Sequence, residues 1–354
     1  MNDFKVSNLD DNEETTFNII AIVFNTTFLT YNGNQFSLNL ISDNQLGETN
    51  FPNLKRPGMI EIPSSDSKVL KTIMVSGGLD STTNKVEKMI YLINIIKIQE
   101  NEFILELNFK YSDIPSPKYL HNLVLLNNRF ILSCGGKNEN SWLSSCEVFD
   151  LKIKKWELFP NLKDRRANFD LLVMNTNQVF AFGGYSDFKK LSVPQIEMCK
   201  FSENIQSNKW IAVILKGDIC PLACMRIIEY CDSILVFGGF DGQKMQDIIY
   251  EIDLANKEVK KIGKLNSSRG NFHLLRKNDD IYVLGGTCAF KISEDESIIN
   301  YGERLSIGFG NKITNENITM EKQLINNLNN GDEYFDAGFP YNSSIIINNL
   351  KEFN

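Results

Sequence analysis

The stretch Ile234-Leu235-Val236-Phe237-Gly238-Gly239 decides how this chain reads: four apolar residues of strand type run into two glycines. The same design returns at Ile73–Gly78, Ile131–Gly136, Val179–Gly184 and Ile281–Gly286. A strand that stops at two glycines lets the backbone turn, or approach a neighbour, where a Cβ would interfere. One such site carries little information; five copies define a repeat. The first glycines, Gly77, Gly135, Gly183, Gly238 and Gly285, are separated by 58, 48, 55 and 47 residues. Periods of roughly 40–50 residues belong to propellers, with one four-stranded blade per repeat. Four residues before each first glycine stand Ile73, Ile131, Val179, Ile234 and Ile281, and three before stand Met74, Leu132, Phe180, Leu235 and Tyr282. Apolar residues on both faces suit a strand buried within stacked sheets.

Beyond the diglycine, Val148-Phe149-Asp150-Leu151 followed by Trp156 parallels Tyr250-Glu251-Ile252-Asp253-Leu254 followed by Val259. Each pair reads as a hairpin with the Asp near the turn. Upstream, Ser116-Pro117-Lys118, Asp164-Arg165-Arg166 and Ser268-Arg269 form polar turns that lead into the innermost strands. Each unit is therefore strand, strand-Gly-Gly, strand, strand. The segment between Thr287 and Leu324 fits this pattern poorly.

An apolar strand, Gly-Gly, a Tyr/Phe-bearing third strand, a Trp on the fourth and a Pro/Ser-Lys/Arg turn resemble the kelch repeat, most fully over Gly135–Trp156. The resemblance covers roughly Gly58 to Asn354. It implies an all-β, kelch-type β-propeller of four-stranded antiparallel blades around a central channel. The expected count is six blades, with seven as the alternative. The sixth blade is expected to draw on both termini: Phe17–Tyr31 and Gln35–Ile41 joined at the Asn32-Gly33 hairpin, and Glu333–Phe339 with Ser344–Asn349, where Asn348-Asn349 stand in for the glycines. Residues 1–16 read as a disordered acidic lead-in and residues 17–354 as a single propeller domain, with no appended domain expected.

Composition narrows the functional classes. Across 354 residues, 42% hydrophobic content and 24 Phe suffice for a large core. A net charge of −7 argues against a nucleic-acid partner, which demands a basic surface. No apolar run approaches a bilayer span, so no membrane partner is expected. Seven cysteines without regular spacing suit a reducing, cytoplasmic compartment.

Chemistry-bearing motifs are sparse. His121 and His273 occupy innermost strands and read as packed residues. Cys220, Cys224 and Cys231 lack Cys-X-X-Cys spacing and read as buried thiols rather than a metal site. No metal, cofactor or catalytic residue is expected. The diglycines precede strands rather than helices, which excludes a phosphate loop. Arg165, Arg166, Arg269, Asp80 and Asp241 are the residues a channel-mouth enzyme, of epimerase or lyase type, would draw on, though each also suits a turn.

The favoured expectation is a non-catalytic protein–protein interaction module, a scaffold or adaptor. The loops after the diglycines and the loops entering the innermost strands should emerge on one face. That face would collect Trp142, Tyr185, Phe188 and Phe240 from the first set and Lys118, Arg165, Arg166 and Arg269 from the second. Aromatics with Arg are enriched at protein interfaces. As the resemblance implies, kelch propellers bind a protein or peptide on such a face; a cytoskeletal or ubiquitin-ligase component fits an adaptor.

Overall fold

The computed structural model describes residues 18–23, 27–31, 36–40 and 54–319, the last span interrupted at 65, 81, 100–101, 110–112, 176, 187–195, 278–279, 285, 289–300 and 309–311. Five four-stranded antiparallel sheets account for most of it. The first holds β5 (Gly58–Ile62), β6 (Val69–Ser76), β8 (Ile90–Gln99) and β9 (Glu102–Phe109). In the second are β10 (Asn122–Leu126), β11 (Phe130–Cys134), β12 (Cys146–Asp150) and β13 (Lys155–Phe159). The third comprises β14 (Asp170–Met174), β15 (Gln178–Phe182), β16 (Ile196–Lys200) and β17 (Trp210–Val213). A fourth is built from β18 (Arg226–Tyr230), β19 (Ser233–Phe237), β20 (Ile248–Asp253) and β21 (Glu258–Lys264). The fifth has β22 (His273–Lys277), β23 (Asp280–Leu284), β24 (Tyr301–Gly308) and β25 (Lys312–Thr319).

Every sheet is a meander in which sequence neighbours pair, and the innermost strands β5, β10, β14, β18 and β22 neighbour one another in that order. This is an all-β propeller. A short pairing of β4 (Leu54–Lys55) with β7 (Leu79–Asp80) joins the residues before β5 to those just after β6. A single 3-10 turn at Ile205–Ser207 is the helical element among the described residues.

The blade count corrects the expectation of six or seven: the described residues form five complete blades. β1 (Asn18–Val23), β2 (Thr27–Tyr31) and β3 (Phe36–Leu40) follow the expected N-terminal hairpins, but they form a three-stranded sheet of their own. The strands expected to complete a mixed blade, Glu333–Phe339 and Ser344–Asn349, lie outside the described residues, as do residues 1–16. The segment after Gly286 that matched the repeat poorly nonetheless supplies β24 and β25, paired in continuous register from Tyr301↔Thr319 to Gly308↔Lys312.

The second strand of each blade is the core of the stack. Ile73, Met74, Ile131, Leu132, Val179, Phe180, Ile234, Leu235, Ile281 and Tyr282 are all buried. Each Å² of apolar surface so removed from water stabilises the fold by about 25 cal/mol. Between the second and third blades the packing is aromatic: Phe159 lies 6.3 Å from Phe201 and 6.4 Å from Trp210, whose indole N–H donates to Pro160 O. The expected hairpin carboxylates are in place too, with Lys152 N donating to Asp150 Oδ1 and Asn256 N to Asp253 Oδ1.

Candidate functional site

The diglycines stitch one blade to the next. Gly238 has φ +50° and Gly239 φ +99°, both in the region that favours glycine. Gly239 N donates to Arg269 O in the fifth blade at 2.8 Å, and a Cβ on Gly238 would stand 2.5 Å from that same oxygen. The earlier blades repeat the bond: Gly78 N to Lys118 O, Gly136 N to Arg166 O and Gly184 N to Leu222 O. Two residues further on, a second chain of bonds runs between blades, from Leu120 N to Arg56 O, Asn168 N to Leu120 O, Cys224 N to Asn168 O and Asn271 N to Cys224 O. All five residues of this chain have positive φ.

These bonds place the post-diglycine loops beside the loops entering the innermost strands, on one face as expected. Single bridges tie them directly: Tyr119 with Lys137, Ala167 with Tyr185, Ala223 with Phe240 and Gly270 with Thr287. Lys137 bridges onward to Trp142, and Phe240 to Met245.

The structure divides the candidate residues. Lys118, Arg166 and Arg269 are completely buried, which removes them from the face. Lys118 Nζ lies 2.6 Å from Glu147, Arg166 2.7 Å from Glu197 and Arg269 2.5 Å from Glu303. Each basic residue leads into its blade's innermost strand, and its Glu sits on the third strand of the same blade. A charge taken out of water requires a partner and hydrogen bonds, which accounts for the arrangement. Glu197 also accepts from Lys163 N and Asp164 N, and Glu303 from Asn266 N and Ser267 N. In the second blade Pro115 occupies the place of Lys163 and Asn266; it has no N–H, and Glu147 Oε1 has no hydrogen-bond partner among the described residues. Burial pulls the Arg166 guanidinium below its ordinary value, against the opposing effect of Glu197.

The fourth blade dispenses with the ion pair. Leu222 stands where Arg166 stands, Tyr250 takes the place of Glu197, and both join one apolar cluster. Phe240 is also buried, packed beneath the face.

What remains on the face is Trp142 and Tyr185, both half-buried, and exposed Arg165. Phe188 lies outside the described residues. The structure adds two residues that sequence reasoning had not selected. Lys137 Nζ lies 4.7 Å from the Trp142 ring centroid and 6.0 Å from that of Tyr119, which gives one cation flanked by two rings. Nothing in the repeat pattern marks Lys137 except its place directly after Gly136. The next blade's Tyr185 hydroxyl is bound by the Asn168 side chain.

Below the face, the first residues of successive innermost strands meet. Asn122 donates to Asp170 Oδ1 at 2.7 Å, Arg226 lies 3.3 Å from the same oxygen, and Arg226 Nε donates to Phe272 O. Asp170 further accepts from Leu171 N and Ile227 N. Burial raises the Asp170 carboxyl, with Arg226 opposing it. His121 is buried just before β10, where burial pushes its imidazole well below the usual value, and His273 begins β22. Cys220 is half-buried, Cys224 buried and Cys231 exposed at the β18–β19 turn, which corrects the expectation of three buried thiols. Among the described residues no three His, Cys, Asp or Glu side chains come together as a metal site would require. Nor does any helix there have the length and apolarity to cross a membrane.

Residues 131–163 match the kelch motif, covering the second blade from β11 through β13. The second blade thus carries a kelch motif. The chain is 24% identical over 147 residues to the kelch repeat-containing protein kel-10 of Caenorhabditis elegans, a match spanning 39% of this chain and 23% of that protein's length. Among solved structures it resembles that of YjhT, with a TM-score of 0.61 and 13% identity over 86% of this chain and 98% of the other, a likeness of fold alone.

Proposed function

We propose that this kelch propeller is a non-catalytic protein-interaction module that docks a protein or peptide on the loop face of its second and third blades. The observation that carries this reading is the Tyr119–Lys137–Trp142 group, two partly exposed rings around one cation, with Tyr185 and Arg165 on the neighbouring blade. Rigid amphipathic rings and a fixed cation are what interface hot spots are made of. They rest on single-residue bridges anchored at the diglycine joints, so the face is presented by a rigid frame. A scaffold or adaptor in a reducing, cytoplasmic compartment fits the seven free cysteines. A cytoskeletal or ubiquitin-ligase component is the kind of partner such an adaptor would serve.

The enzyme alternative draws on Asp170 and Arg226, the ionisable pair beneath the face. Asp170 accepts four hydrogen bonds from its surroundings, and Arg226 reaches the next blade. Groups so engaged serve as joints between blades, which favours the binding reading.

The test is affinity capture with the intact chain and with a Lys137→Ala/Trp142→Ala variant. We expect the same partner to be recovered with the wild type and lost with the variant, at unchanged melting temperature. A partner retained by the variant would overturn the assignment of the face.

A further inference from the structure

We propose that Cys134 and Cys146 form a redox modification site, a cross-strand dithiol that a low-molecular-weight disulfide such as oxidised glutathione converts to an intrachain disulfide. The two residues are direct partners in the β11–β12 register. Gly135 N donates to Ser145 O at 2.9 Å, which makes 135/145 the hydrogen-bonded pair. Cys134 and Cys146 are therefore a non-hydrogen-bonded pair, the class in which Cα atoms approach to about 4.5 Å and side chains lie closest. That spacing falls inside the window of roughly 4.4–6.8 Å that a disulfide spans. Both cysteines are buried, in the core cluster shared by the second and third blades.

The reaction balances without a further reagent. One protein thiolate attacks a sulfur of oxidised glutathione and releases the first glutathione thiol; the second protein thiolate displaces the other. Two protein S–H bonds and one glutathione S–S bond are broken, and one protein S–S bond and two glutathione S–H bonds form. The protein sulfurs are oxidised and glutathione is reduced. Burial also pushes the Cys134 thiol well up. Exchange in the folded chain accordingly waits for the blade to open, and is slow.

The placement gives the modification a consequence. Cys134 directly precedes Gly135-Gly136, and Cys146 directly follows the loop 135–145 that carries Lys137 and Trp142. A disulfide would lock the base of that loop. This consequence rests on the interaction reading above; the modification itself does not.

The intact chain is equilibrated in a series of oxidised and reduced glutathione mixtures, both folded and by refolding from urea in the same mixtures. Remaining thiols are then alkylated in denaturant and the peptides mapped by mass. We expect one cross-link, Cys134 to Cys146, with a loss of about 2 Da. It should appear cooperatively with oxidant ratio, reach the same end point after refolding, vanish in Cys134→Ser and persist in Cys199→Ser. Both thiols remaining alkylated after refolding in the most oxidising mixture would overturn the site. So would a single glutathione adduct, or a cross-link to Cys199. Capture of the partner by oxidised and reduced chain reads the consequence separately: equal capture sinks the coupling to the face and leaves the disulfide standing.

Discussion

Removing the acceptor of a buried ion pair should expose how this propeller holds its face. In Glu197→Ala, the completely buried Arg166 guanidinium loses the carboxylate 2.7 Å away, and Lys163 N and Asp164 N lose theirs at 2.7 and 3.2 Å. Breaking a buried pair from one side costs about 3–5 kcal/mol, chiefly because a desolvated charge is left without a partner. The fourth blade supplies the compensating change, with Leu222 and Tyr250 at the same two positions in one apolar cluster. Arg166→Leu/Glu197→Tyr should therefore lie within about 2 kcal/mol of the wild type, since well-packed replacements of buried pairs are commonly neutral or stabilising. Urea unfolding, followed by the fluorescence of Trp142, Trp156 and Trp210 and by far-ultraviolet dichroism, gives both differences. Glu147→Ala is expected to cost less than Glu197→Ala, because Glu147 holds only the Lys118 side and receives no bond from Pro115. A cost under about 1 kcal/mol for Glu197→Ala, or a double variant no more stable than the single, would show that the buried pair does not hold the blade in this way.

Gly238→Ala must place a Cβ 2.5 Å from Arg269 O at φ +50°, so a loss of about 3 kcal/mol or more is expected in the same assay. Gly217→Ala, at φ +97° with its nearest neighbour at 3.3 Å, should cost about 1–2 kcal/mol and serves as the comparison. Asp150, held below the ordinary carboxylate value chiefly by its Arg129 hydrogen bond, contributes stability that is present above its unfolded pKa and lost as pH falls through the lowered folded value. Asp150→Asn should remove that part of the acid slope, about 0.5–1 kcal/mol for a partly exposed pair; unfolding midpoints measured from pH 6 down to about pH 2 would show parallel curves if the pair contributes nothing. Arg165→Ala, at an exposed position on the loop face, is expected to leave melting unchanged and to weaken partner capture several-fold, and equal capture would remove it from the interface.

Local sequence specifies the structure where the repeat imposes the same demand in blade after blade. The buried second strands, the positive-φ glycines among the described residues and the hairpin carboxylates at Asp150 and Asp253 all follow from nearest-neighbour chemistry, and all stand where the pattern put them. The basic residues misled. Lys118, Arg166 and Arg269 occupy polar turns, where exposure is the ordinary outcome, yet each is paired with a Glu far along the chain. A signal was available: the blades with a basic residue before the innermost strand carry Glu147, Glu197 or Glu303 on the third strand, whereas the fourth has Leu222 with Tyr250.

By itself the sequence determined the repeat, the class of fold and the side of each blade from which the variable loops emerge. These depend on alternation, on turn chemistry and on the steric demands of glycine, each of which acts within a few residues. Tertiary structure alone decided the number of complete blades among the described residues. It also decided which polar side chains leave the surface and which cation lies between two rings. Burial and pairing arise when segments roughly thirty or more residues apart are brought into register, and no local preference records which partner a charge will meet.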